Sequence, residues 1–137
     1  MLSQAEIDSF VRTWFQGLNE HIDVERMLPL VADDGLEMVF PEQTLRSHAD
    51  FRAWYAAVGH AFTDQDHDVE AVTSRAQEDG TTLDVTVVWR AVQTADGAPL
   101  AMRAQQTWFL DRAPATGAPR IVTYRVHSLD DMERSDA

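Results

Sequence analysis

Five histidines, His21, His48, His60, His67 and His127, are the side chains of this 137-residue chain best suited to carrying protons near neutral pH. No two of them fall in a HExxH-type spacing, so a helix-borne zinc pair is not encoded. Zero cysteines exclude a disulfide framework, a catalytic thiolate and any thiolate-bound metal. That leaves acid–base work by His, Tyr and carboxylates, for which three residues are candidates. Glu37 shares a side of a short strand with Val39; among aromatic neighbours its ionised form would be disfavoured, which suits a general acid or base. A solvated or salt-bridged Glu at a strand start is the competing reading. His60 follows Tyr55 at helical distance and either reaches a pocket rim or complements a helix C-terminus. Tyr124 supplies an inward hydroxyl on the last strand.

Such groups need walls around them. Trp14, Trp54, Tyr55, Trp89, Met102, Gln106 and Trp108 are the candidate ligand-binding residues. Aromatic stripes usually pack as core, yet large aromatic walls with a few polar groups are also what small-molecule sites are made of. Both readings can hold in one molecule.

The elements that must position them begin with helices. Ser3 and Glu6 form a capping box, and Ile7, Phe10, Val11, Trp14 and Leu18 then make one apolar stripe. Asp23 caps a short helix through Val24, Met27, Leu28 and Val31, which Pro29 should kink or restart. Leu36 to Phe40 reads as a strand closed by Pro41. Phe51, Trp54, Tyr55, Val58 and Phe62 lie on one face of a third helix, with cap chemistry expected at His48 to Asp50. Thereafter the period changes to two, giving strands at His67 to Gln77, Thr82 to Gln93, Leu100 to Asp111 and Arg120 to Ser128. Turn residues separate them, so consecutive antiparallel hairpins are expected. Helices early and a meander late indicate an α+β architecture with helices on one face of a curved sheet.

A turn centred on Asp96 and Gly97 would set Trp89 opposite Ala104, Val87 opposite Gln106 and Val85 opposite Trp108. The other face would then carry Arg90 against Arg103, and a last strand with Val122, Tyr124 and Val126 inward would bring His127 beside them. This cationic row is either paired with acids such as Asp84, Glu70 or Glu78, or it is a dimer face neutralised by a second copy. In the opposite register the same groups would line the cavity.

Composition sets the outer limits. Apolar residues at 45% and charged residues at 25% are those of a folded globular chain, and the length suits one domain. A net charge of −12 repels phosphate backbones and anionic lipid headgroups, so nucleic acid and membrane surfaces are not expected partners. The opening MLSQAEIDSF lacks a basic-then-apolar leader pattern, which makes the cytoplasm the expected location. The expected domain is 1–128, followed by a frayed acidic tail at 129–137.

Taken in order, these pieces resemble an NTF2-like domain of the small bacterial, SnoaL-like type. The resemblance is carried by Phe10-Val11 and Trp14-Phe15, by Val24 to Val31 running into Ala32-Asp33-Asp34, and by Val39-Phe40-Pro41. It continues through Arg46-Ser47 before Phe51 and Trp54, and ends in Arg120-Ile121-Val122 and His127-Ser128. It implies a cone-shaped α+β barrel, usually homodimeric, with a deep pocket between helices and sheet. Activity does not follow, because this fold hosts isomerases, cyclases, a dehydratase, an epoxide hydrolase and noncatalytic modules. The isomerases' general-base Asp before Pro is here Phe40 before Pro41, and their first-helix Tyr is Trp14. The epoxide hydrolases' Arg-x-Asp is absent, since Arg90 precedes Ala91-Val92 and Arg103 precedes Ala104-Gln105. The expectation is therefore a dimeric pocket protein for a small apolar, aromatic or polycyclic molecule. If catalytic, it would promote isomerisation, cyclisation or dehydration by proton transfer without cofactor or metal. The alternative is a noncatalytic assembly or partner-binding module.

Overall fold

The computed structural model describes residues 2–132. Helix α1 (Gln4–Glu20) starts as the capping box requires: the Ser3 hydroxyl accepts from Glu6 N at 3.1 Å and the Glu6 carboxylate accepts from Ser3 N at 2.9 Å. It stops at His21, whose backbone is left-handed (φ 49°). Helix α2 (Val24–Met27) is capped by Asp23, and Pro29 converts its continuation into a 3-10 turn at Leu28–Leu30. Helix α3 (His48–Ala61) is capped by the Ser47 hydroxyl, one residue ahead of the expected position; Asp50 instead uses its carboxylate on Arg46 N.

Six strands form one curved sheet in the order β2-β1-β6-β5-β4-β3. They are β1 (Glu37–Val39), β2 (Thr44–Leu45), β3 (Phe62–Gln77), β4 (Gly80–Gln93), β5 (Pro99–Arg112) and β6 (Pro119–Asp131). The last four make the expected antiparallel meander, while β1 runs parallel to β6. The sheet does not close into a full barrel, and β2 and β3 are its edges. Asp64, Asp66, Asp68 and Glu70 place charge along the β3 edge, which discourages pairing with another sheet. Strand β6 includes residues 129–131, the first part of the segment expected as a tail; residues 133–137 of that segment lie outside the described residues.

The β4 and β5 pairing differs from expectation by two residues: Trp89 faces Met102, Val87 faces Ala104, Val85 faces Gln106 and Leu83 faces Trp108. The loop between them has Gly97 left-handed (φ 72°) as its last residue, with Gly97 N donating to Gln93 O at 2.8 Å, so the turn centres one residue earlier than Asp96-Gly97. A slip of two preserves the faces, and the inward set survives. The outward set changes: Arg103 faces Val88, and Arg90 faces Ala101. His127 lies in a bulge and its Nε2 is 2.7 Å from Thr107 Oγ1, away from Arg103, which faces Asp130. The expected cationic row is thus broken, and Arg103 instead pairs with Glu70 through two bonds of 2.8 and 2.9 Å. Since Val88 lies between β3 and Arg103, this pair spans it, and Val88 is buried although it is on the outer face.

The core fills the narrow end of the cone. Trp14 contacts Phe51, Trp108 and Tyr124 at ring-centroid distances of 6.2, 6.2 and 5.7 Å, and Trp108 stacks on Tyr124 at 5.2 Å. Trp14 and Trp108 have no exposed surface, whereas Trp89 is half-buried nearer the wide end. Trp108→Ala should therefore cost about 3–5 kcal/mol in urea unfolding, and Trp89→Ala less than about 2 kcal/mol. Equal losses would mean that the wide end is packed as tightly as the narrow one.

Candidate functional site

A cavity of about 330 Å³ lies at the wide end, between α1, α3 and the inner sheet face. Its walls are mainly apolar, with Phe40, Trp54, Tyr55, Trp89 and Met102 among them. Helix α3 supplies Trp54 and Tyr55 from consecutive positions of one turn, and Phe40, just after β1, stacks on Trp54 at 4.9 Å. The Tyr55 hydroxyl is used structurally: it donates to Ile22 O at 2.6 Å, and burial holds its pKa up at about 12. His21 stacks on the Tyr55 ring at 4.0 Å, and the absence of a side chain at Gly59 makes room for it, since a Cβ there would overlap the imidazole. Burial, with the nearby His60, lowers the His21 pKa.

Of the residues expected to bind a ligand, Trp54, Tyr55, Trp89, Met102 and Gln106 line this cavity. Trp14 and Trp108 do not; both are wholly enclosed in the core behind it. Among the expected catalytic residues, Tyr124 lines the cavity, but Glu37 and His60 do not. Glu37 is outside because Met38, wholly buried and opposite Tyr124, takes the inward position of β1; on the outer side Glu37 pairs with Arg46 and Arg125, each at 3.5 Å. His60 is exposed in the last turn of α3, and its carbonyl accepts from Thr94 Oγ1 at 2.6 Å. Arg90, Arg103 and His127 do not line the cavity either.

His21, Glu42, Tyr55 and Tyr124 border the cavity, and a further titratable group on its wall is one for which the sequence suggested no role. His67, on β3 opposite Trp89, lines the cavity and stacks on Phe15 of α1 at 5.0 Å. Its Nδ1 is 2.7 Å from Asn19 Oδ1, at the end of α1. Because a carbonyl oxygen only accepts, Nδ1 carries the hydrogen and Nε2 keeps the lone pair. Burial lowers the pKa of His67 to about 4, so the ring is neutral at pH 7. A neutral, tautomerically fixed imidazole can accept a hydrogen bond or remove an acidic proton. Asn19 orients it as a carboxylate would, without offering charge to an imidazolium.

A bulge at Glu70 puts His67 there: it reverses the alternation of β3, so that His67, opposite Trp89, shares a face with Val72, opposite Val85, while a second bulge at Asp64 and Gln65, with Asp64 left-handed (φ 53°), brings Gln65 to the same wall. Nothing in the residue pattern marks a bulge at Glu70. Counting back from Val72 by twos would have placed Glu70 and Asp68 inside and His67 outside.

Among the described residues, no group of three or more His, Asp or Glu side chains is arranged to hold a metal ion, and no helix is long and apolar enough to cross a membrane.

Solved structures share this architecture of helices over a curved sheet. An NTF2-like superfamily protein from Salmonella enterica serovar Typhimurium LT2 superposes with a TM-score of 0.83 at 12% identity, covering 97% of this chain and 95% of that one. Hexachlorocyclohexane dehydrochlorinase LinA-type3 from Novosphingobium barchaimii LL02 gives 0.78 at 12% identity, with 95% and 90% covered. A scytalone dehydratase candidate from Novosphingobium aromaticivorans gives 0.80 at 12% identity, with 95% and 87% covered. At such identities the likeness is one of fold, and the fold is NTF2-like. The family model of the SnoaL-like domain matches residues 11–126, and the chain belongs to that family. No curated protein matches the sequence.

The His67 environment has a direct test. Asn19→Asp should put a carboxylate on Nδ1–H and raise the His67 titration midpoint, followed by NMR, well above about 4. An unmoved midpoint would mean that residue 19 does not touch the ring in solution.

Proposed function

We propose that the protein binds a small, largely apolar, aromatic or polycyclic molecule in the cavity between helices and sheet. We further propose that it moves a proton on that molecule with His67 as the base. The observation that carries this reading is a neutral imidazole whose Nε2 has no hydrogen-bond partner among the described residues, on the wall of an apolar cavity of about 330 Å³. With a conjugate-acid pKa of about 4, His67 is a weak base and suits carbon acids already activated by their own substituents. Isomerisation, cyclisation and dehydration all contain such a step and need no cofactor. The names of two structural neighbours, a dehydrochlorinase and a dehydratase candidate, are consistent with elimination chemistry on this fold.

This reading changes which residues carry the chemistry. His67 takes the role first considered for Glu37 and His60, while Tyr124 keeps a place as a hydroxyl on the wall. A noncatalytic module would not need an accessible cavity with a titratable group in it, and for that reason the pocket reading is preferred. A homodimer through the outer sheet face is a separate proposal. Arg90 and Arg103 already have Asp66 at 4.0 Å and Glu70 at 2.8 Å within the chain, so a second copy would not be needed for neutralisation.

Trp54 and Trp89 are on the cavity wall, so occupancy should be visible as saturable quenching of tryptophan fluorescence. Titration with steroid, polyketide-like and small carboxylic acid panels should show quenching by an apolar polycyclic class. For any ligand that turns over, His67→Ala should lower kcat by about 10²- to 10⁴-fold with little change in binding. Silence from every panel, with no rise in Tm, would favour the noncatalytic module.

A further inference from the structure

Two glutamines on the cavity wall are each fixed by a tryptophan. The Trp89 indole N–H donates to Gln65 Oε1 at 3.1 Å, and the Trp108 indole N–H donates to Gln106 Oε1 at 2.9 Å. An indole nitrogen can only donate, so in both side chains the oxygen is the group turned to the tryptophan and the amide NH₂ is the group left over. Among the described residues no partner for the Gln65 NH₂ is recorded. Burial raises the pKa of the Tyr124 hydroxyl, so it keeps its hydrogen at neutral pH, and among the described residues it makes no hydrogen bond. Tyr124 borders the cavity, so that hydrogen can be donated to a molecule held there. The sheet wall therefore presents hydrogen-bond donors, the Gln65 amide and the Tyr124 hydroxyl, beside the lone pair of His67.

Charge narrows the ligand further. No arginine lines the cavity and the chain contains no lysine, while Glu42 stands at the wall. The eight arginines with ion-pair partners, Arg46 through Arg125, meet their acids outside it. A carboxylate or phosphate would enter without a counter-charge, against a net charge of −12. A plain hydrocarbon would leave the donors unpaired in a desolvated site.

We infer that the cavity selects a neutral, ring-sized molecule bearing a carbonyl-type oxygen, held by the Gln65 amide and the Tyr124 hydroxyl. This rests on the reading of the cavity as a ligand site and adds to it the class of ligand and the residues that choose it.

The test uses three probes of one carbon skeleton, 2-tetralone, tetralin and tetralin-2-carboxylate, with the intact protein and ligand-observed NMR. The ketone should bind at least about tenfold more tightly than either of the others. Tyr124→Phe and Gln65→Glu should each weaken ketone binding by about three- to tenfold and leave tetralin unchanged. Glu keeps an acceptor for Trp89 but replaces the donor, and Tm of both variants reports whether the fold persists. Tetralin binding as tightly as the ketone, or the carboxylate binding best, overturns the inference while leaving the cavity a ligand site. Equal weakening of ketone and tetralin in folded variants also overturns it. Failure of all three probes to bind overturns the cavity reading itself.

Discussion

Trp14 is the wedge on which the arrangement depends. Projecting from the middle of α1, it meets Phe51 of α3, Trp108 of β5 and Tyr124 of β6, and so ties both long helices to the sheet at one end of the cone. Large aromatic side chains filling that end hold the helices at a fixed stand-off, and the sheet curves away from them toward the other. The hollow at the wide end follows from what fills the narrow end. Bulges at Glu70, Val122 and His127 add to the curvature, and the one at Glu70 also determines what the hollow displays.

The polar groups on the wall are few and are fixed by their neighbours. Asn19 sets the tautomer of His67, and Trp89 sets the orientation of Gln65. Trp108 does the same for Gln106, from inside the core. Aromatic residues thus have two duties here: the rings exclude water, and the indole nitrogens assign donor and acceptor directions at the wall. Sites whose supporting groups are themselves packed can hold a ligand without reorganising, which is the physical basis for selectivity in an otherwise apolar pocket.

Much of the fold could be read from residue patterns because the signals were local. The Ser3 and Glu6 box, the stripe through Trp14, the break at Pro29 and the period-two strands each correspond to an observed element. The inward face of β4 and β5 was also legible, since an error of two residues in the turn leaves parity intact. Five of the seven expected ligand-binding residues reach the cavity, together with Tyr124. Trp14 and Trp108 do not, because periodicity identifies a buried face but not how far along the cone it lies. His67 escaped for a different reason: DQDHDVE reads as a polar edge, and only the bulge at Glu70 turns His67 inward. Glu37 shares a side of β1 with Val39, but the inward position of that short strand belongs to Met38, and a three-residue strand carries too little pattern to say which parity is buried.

The central claim is that a neutral imidazole faces the cavity with its Nε2 lone pair available. Nitrogen-15 NMR of the His67 ring at pH 7 tests it most directly, since the two nitrogens report protonation separately. The account predicts hydrogen on Nδ1 and a bare Nε2, unchanged on acidification to about pH 5 given a pKa near the low end of the histidine range. An imidazolium at pH 7, or hydrogen on Nε2 instead, would contradict it.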